Sequence, residues 1–171
     1  MALAPPEGSV LLGTLGKTFQ LQGGLRFYAL GEAEAAAIAA LQRVFVAGFG
    51  ERALARVRPV GAQQIVYFVG VDTPQAAKAL VNADVYAPRA ALPELETGFY
   101  VDLLLGLPVR LGGEVIGEVV EVIPKATALG QDLLVVDTGE SEHLIPLQAD
   151  YVHLHETHVQ LTNPPEGLLE P

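Results

Sequence analysis

Short apolar runs, mostly closed by glycine or proline, recur along the whole chain and limit what it can fold into. In the first half they are Val10–Leu12, Leu25–Ala29, Val44–Ala47, Ala53–Val57, Ile65–Val69 and Val85–Ala87. In the second they are Val109–Leu111, Val115-Ile116, Glu118–Ile123, Asp132–Asp137, His143–Ile145, Val152–His155 and Val159–Leu161. Runs this short, ending at turn formers, read as strands, and Gly112-Gly113 reads as a two-residue hairpin turn. Two helical pieces interrupt the series. Glu32–Leu41 is alanine-rich, with Ile38 and Leu41 spaced to share a face. Thr73 offers an N-cap and Pro74 the first helical position of a helix over Pro74–Leu80. Closely spaced short strands with little helix predict barrels or sandwiches. The expected fold class is all-β: two small β-barrels joined by a linker, with one or two short helices.

Charge supports a division in two. Residues 1–97 carry eight basic and eight acidic side chains. Residues 98–171 carry two basic (Arg110, Lys125) and twelve acidic, so the net charge of −10 lies wholly after Thr97. The step falls on an aperiodic stretch with two prolines and a glycine, 88–98, which marks a linker. The expected domains are residues 1–90 and 98–171, with 91–97 between them. Half the residues are hydrophobic and mean hydropathy is +0.36, which argues against disorder. Cysteine is absent, so disulfides, thiolate zinc sites and cysteine nucleophiles are excluded. The first residues lack the basic start and apolar run of a signal peptide. No stretch reaches the roughly 18 apolar residues of a membrane span. A cytoplasmic protein with no membrane contact is expected.

Chemistry-bearing motifs are sparse. Gly16-Lys17-Thr18 resembles the end of a phosphate-binding loop, but Leu11 stands where the pattern needs a glycine and no helical pattern follows. A turn between strands is the better reading. His153, His155 and His158 have ligand-like spacing, yet no second ligand pair completes a metal site, and no metal is expected. Neither Ser9 nor Ser141 sits in a nucleophile-elbow pattern. Carboxylates such as Asp132, Asp137, Glu140 and Glu142 cluster around turns, and nothing selects a catalytic pair. The inventory argues against an enzyme. Arg56 and Arg58, two apart in a strand, share a face and offer a modest phosphate-contacting patch, which on a neutral module predicts weak, unspecific RNA affinity; an ordinary solvated surface is the other reading. Phe99-Tyr100 cannot both point to one core face of a strand, so one is expected either exposed, as an anchor for a protein partner, or wedged between the domains as interdomain packing.

Taken in order, these pieces resemble the RimM family of ribosome maturation factors. Gly13–Gly16 through Leu21–Phe27 matches the family's opening glycine motif and its strand. Asp72–Leu80, Val85–Arg89 and Leu92-Pro93 match what precedes its linker, and Phe99-Tyr100 with Leu104–Val109 matches its aromatic pair and following strand. Gly117–Val119, Asp132–Val136, Leu144–Pro146 and the closing Pro165–Leu169 follow in sequence. There are departures: Phe99 stands where a second tyrosine is common, Leu103 where an acidic residue is, Lys78 likewise, and Phe19 replaces a histidine.

The resemblance implies a translation-factor-like barrel followed by a PRC-type barrel. It implies a monomeric, non-enzymatic chaperone without cofactor. Such a protein binds the free small ribosomal subunit, or ribosomal protein nineteen of that subunit, and assists head-domain assembly and rRNA processing. It places partner binding on Phe99 and Tyr100, with Leu105 and Pro108 in the stretch that follows. An acidic second barrel would suit a basic ribosomal protein, and the near-neutral first module would touch nearby rRNA through the candidate contacts Arg26, Arg56 and Arg58. The alternative is a β-barrel that binds a small ligand or flavin, though no phosphate-cradling loop supports it.

Overall fold

Two eleven-residue strands, each bent by a register shift, dominate the first half. β1 (Ser9–Phe19) is shared between β2 (Gly24–Ala29) and β6 (Asp84–Pro88), and its pairing slips between Leu11 and Gly13 and again between Leu15 and Thr18. β4 (Gly50–Val60) pairs with β3 (Arg43–Val46) on one side and β5 (Gln63–Phe68) on the other. With β2 on β5 and β3 on β6, the order β1-β2-β5-β4-β3-β6 closes into a barrel. Bulges increase local bend and twist, which lets six strands close. This computed structural model describes residues 4–61, 63–95, 98–124 and 130–169; Glu96 and Thr97 of the expected linker, and Lys125, lie outside them.

The alternation of small and large apolar residues fills the barrel. Leu12, Leu15, Leu25, Phe27, Val44, Val46, Val66, Phe68 and Val85 form its buried core. Helix α1 (Glu32–Ala40) adds Ile38, fully buried, and α2 (Pro74–Lys78) adds Ala77. The Thr73 hydroxyl accepts the Ala76 amide at 3.2 Å, the cap expected from the sequence. Gly16-Lys17-Thr18 is not a turn: it lies inside β1 at the second register shift, because this long strand must bend to serve two neighbours.

The chain divides into two compact units, Met1–Asp102 and Leu103–Pro171. The break falls within a short helix, α3 (Val101–Leu104). The second unit is a six-stranded sheet. β7 (Pro108–Leu111), β8 (Glu114–Ile123), β9 (Leu133–Asp137) and β10 (Glu142–Pro146) form a meander. β11 (Val152–Leu154) and β12 (Val159–Leu161) add to its other edge. The two runs expected around Gly117 are one strand, β8, and a Cβ at Gly117 would lie 2.5 Å from the Asp137 carbonyl oxygen. β12 runs parallel to β7, a pairing that local patterning could not announce. The all-β expectation holds in both units.

Candidate functional site

Each unit holds part of what the sequence singled out. In the first, the aromatic pair follows a 3-10 turn at Arg89–Ala91. Tyr100 is only 8% exposed, and its hydroxyl donates to the Pro93 carbonyl at 2.6 Å. Burial, then the nearby Glu34 carboxylate, raises its pKa above the ordinary tyrosine value. Phe99 is partly exposed. The pair therefore divides, one side chain buried and the other partly exposed.

The segment after the pair is pinned by two carboxylates that the sequence reading passed over. Glu34, in α1, is fully buried and its Oε2 accepts the Val101 amide at 2.8 Å. Its Oε1 has no hydrogen-bond partner among the described residues. Burial pushes its pKa up against the pull of the Val101 amide, and nearby Asp102 pushes the same way. Asp102 Oδ2 in turn accepts the Leu11 amide of β1 at 2.8 Å. One signal was readable: Glu34 stands four residues before Ile38, on the same helix face.

The three candidate rRNA arginines come together on the outer face of β2, β5 and β4. Arg26 pairs with Ile65, and Ile65 with Arg58, so the two arginines flank a buried isoleucine in one cross-strand row. Arg56 lies over the ring of Tyr67, 4.2 Å from its centroid, and Arg58 Nη1 donates to the Tyr67 hydroxyl at 3.3 Å. Apolar stems and ring stacking bury Ile65 and Tyr67 while the charged ends stay at the surface. Arg26 Nη1 donates to the Thr18 carbonyl at 3.0 Å and Nε to Gln63 Oε1 at 3.3 Å.

In the second unit, Leu105 is exposed at 39% and Pro108, half-buried, opens β7. Pro108 begins a cross-strand row that runs through Glu118, Asp137 and Glu142 on β8, β9 and β10. Residues directly opposite in antiparallel pairs share a face, so three carboxylates stand in line beside the proline. The run expected as a strand over Val152–His155 is shorter by one residue: β11 ends at Leu154 and leaves His155 outside it. His155 and His158 stack with centroids 4.6 Å apart, and partial burial followed by His155 and Arg110 lowers the His158 pKa. Among the described residues no three His, Asp or Glu side chains are arranged to hold a metal ion. Nor is any helix among them long and apolar enough to cross a membrane.

Known proteins match this chain along its length. A family model described as the RimM N-terminal domain matches residues 10–92. The ribosome maturation factor RimM of Thermus thermophilus is 39% identical over 168 residues, covering 94% of this chain and 98% of that protein. That of Deinococcus radiodurans is 40% identical over 155 residues, covering 90% and 79%. The solution structure of the N-terminal domain of RimM from Thermus thermophilus is 40% identical and covers 52% of this chain and 98% of that one, with a TM-score of 0.46. With 39% identity over an alignment that covers nearly all of both chains, the chain belongs to the RimM family.

Proposed function

We propose that this protein is a ribosome maturation factor that acts by binding, without catalysis, on the free small ribosomal subunit or its protein nineteen. On this reading it assists assembly of the head domain and rRNA processing. The observation that carries the reading is the 39% identity to a ribosome maturation factor over nearly all of both chains. Phe99 and Tyr100 in the first unit, and Leu105 and Pro108 in the second, are the proposed protein contacts. The carboxylate row beside Pro108 supports a basic partner, since complementary charge speeds encounter. Arg26, Arg56 and Arg58 are the proposed rRNA contacts, on a unit whose charges nearly balance, eight basic against nine acidic.

Co-sedimentation with free small subunits tests the proposal. Phe99→Ala removes a partly exposed ring and is expected to weaken association while the protein stays folded. Phe99→Ala with Tyr100→Ala should weaken it further but also destabilise the fold, because Tyr100 is buried and bonded to Pro93. Tyr100→Phe separates the two effects: it keeps the buried ring and removes only the hydroxyl. Undiminished co-sedimentation of a folded Phe99→Ala protein would remove Phe99 from the site. The association rate with a basic ribosomal protein should also fall steeply with salt; a rate indifferent to salt would exclude charge-steered capture.

A further inference from the structure

Lys17 of β1, Arg26 of β2 and Lys78 of the last turn of α2 line one open depression of about 610 Å³ in the first unit, with Thr18, Val81 and Asn82. Three of the chain's ten lysine and arginine residues thus meet at one place, and no carboxylate is among the described residues that line it. Lys17 and Lys78 are exposed, and neither forms an ion pair among the described residues. Arg26 differs from both. Its Nη1 and Nε are held by the Thr18 carbonyl and by Gln63, and its guanidinium lies 5.5 Å from the centre of the Phe19 ring. A fixed guanidinium sharing one depression with two long-stemmed ammonium groups suits an anion that offers several oxygens. In a chain of net charge −10, clustering cations without a counter-charge costs electrostatic energy that a bound anion would relieve.

The surroundings point to a polymer. The depression is open, and the row Arg26–Ile65–Arg58 runs from Arg26, one of its lining residues, across two strand spacings, about 10 Å. Arg56, two residues before Arg58 on the same face, extends it. We propose that the depression seats phosphodiester groups of an RNA strand whose backbone continues over the outer face of β2, β5 and β4. Lys17 and Lys78 contact the phosphates; Arg26 orients them. The choice of RNA as the polyanion rests on the ribosome-assembly reading, while the site itself rests on the clustered cations.

The test uses the full chain and a fluorescently labelled oligouridylate of about 12 nucleotides, a length within the usual span of single-strand sites. Lys17→Gln with Lys78→Gln should bind about tenfold more weakly at low salt, with a salt slope shallower by about 1.4, the share of two phosphate contacts. Arg43→Gln with Arg52→Gln removes the same charge elsewhere and should leave affinity within about twofold. Equal losses in the two pairs would reduce the effect to net charge and overturn the inference. So would wild-type protein that does not bind the oligonucleotide, or displacement by inorganic phosphate at the oligonucleotide's own concentration. Co-sedimentation with free small subunits is measured in parallel. Wild-type association together with unchanged RNA affinity of the lysine pair sinks this inference alone, whereas absent wild-type association sinks the functional reading.

Discussion

Single residues explain features of this chain that composition leaves opaque. Gly13 and Gly16 both serve Tyr28: a Cβ on Gly13 would lie 2.2 Å from the Tyr28 carbonyl oxygen, and one on Gly16 would lie 2.3 Å from its ring. Gly13→Ala therefore forces backbone apart, and a loss of about 1–3 kcal/mol, typical of overpacking, is expected in urea unfolding. Glu34 makes a different prediction. Its pKa is raised above its ordinary 4.5 by burial. Between 4.5 and that higher value the folded protein keeps a proton that the unfolded chain has released, so stability falls as pH rises through this window. Glu34→Gln removes the titration and keeps an acceptor for the Val101 amide. The melting temperature of the variant relative to wild type should climb as pH rises from 4.5, and a difference that stays constant with pH would contradict the assignment.

At the scale of elements, the carboxylate row is the feature under tension. Glu118, Asp137 and Glu142 stand directly opposite one another on three strands. Like charges so placed destabilise a sheet by about 0.2–1 kcal/mol per pair. Glu142→Gln should therefore raise the melting temperature at low salt, an advantage that shrinks at high salt, and slow association with a basic partner. A variant that is neither stabilised nor slower to associate would deny the row both effects. Much at this scale was legible in the sequence. All six strands of the barrel sit on apolar runs, most of them ending at Gly or Pro, and α2 starts at its Thr-Pro signal because capping is local. What was not legible is long-range. The Glu34–Val101 and Asp102–Leu11 hydrogen bonds span 67 and 91 residues. Lys17, Arg26 and Lys78 approach only once β1, β2 and α2 have packed. Gly16-Lys17-Thr18 was misread as a turn because a bulge and a turn use the same residues.

For the molecule as a whole, the end of the first unit matters most. The expected domain ended at residue 90, with a linker from 91 to 97; the compact unit extends to Asp102 because Glu34 and Asp102 bind the segment after the aromatic pair. A fragment ending at Asp102 should unfold at a higher temperature than one ending at Ala90, which lacks the Tyr100 ring and both carboxylate contacts. Equal melting temperatures would make the segment a mere connector. Charge separates at nearly the same place: after Thr97 the chain has lost its balance of signs.

Barrel closure depends on β1 meeting β6, from Ser9 on Pro88 to Thr14 on Asp84. A nascent chain that has not yet delivered β6 carries two unpaired strand edges, on β1 and on β3, and such edges recruit other strands. Synthesis must therefore continue past Pro88 before the barrel is safe from mispairing, and past Asp102 before its exit is fastened. Closure comes late in the synthesis of the first unit, and a slow passage of the ribosome just upstream of β6 would prolong the interval in which this unit is most exposed to aggregation.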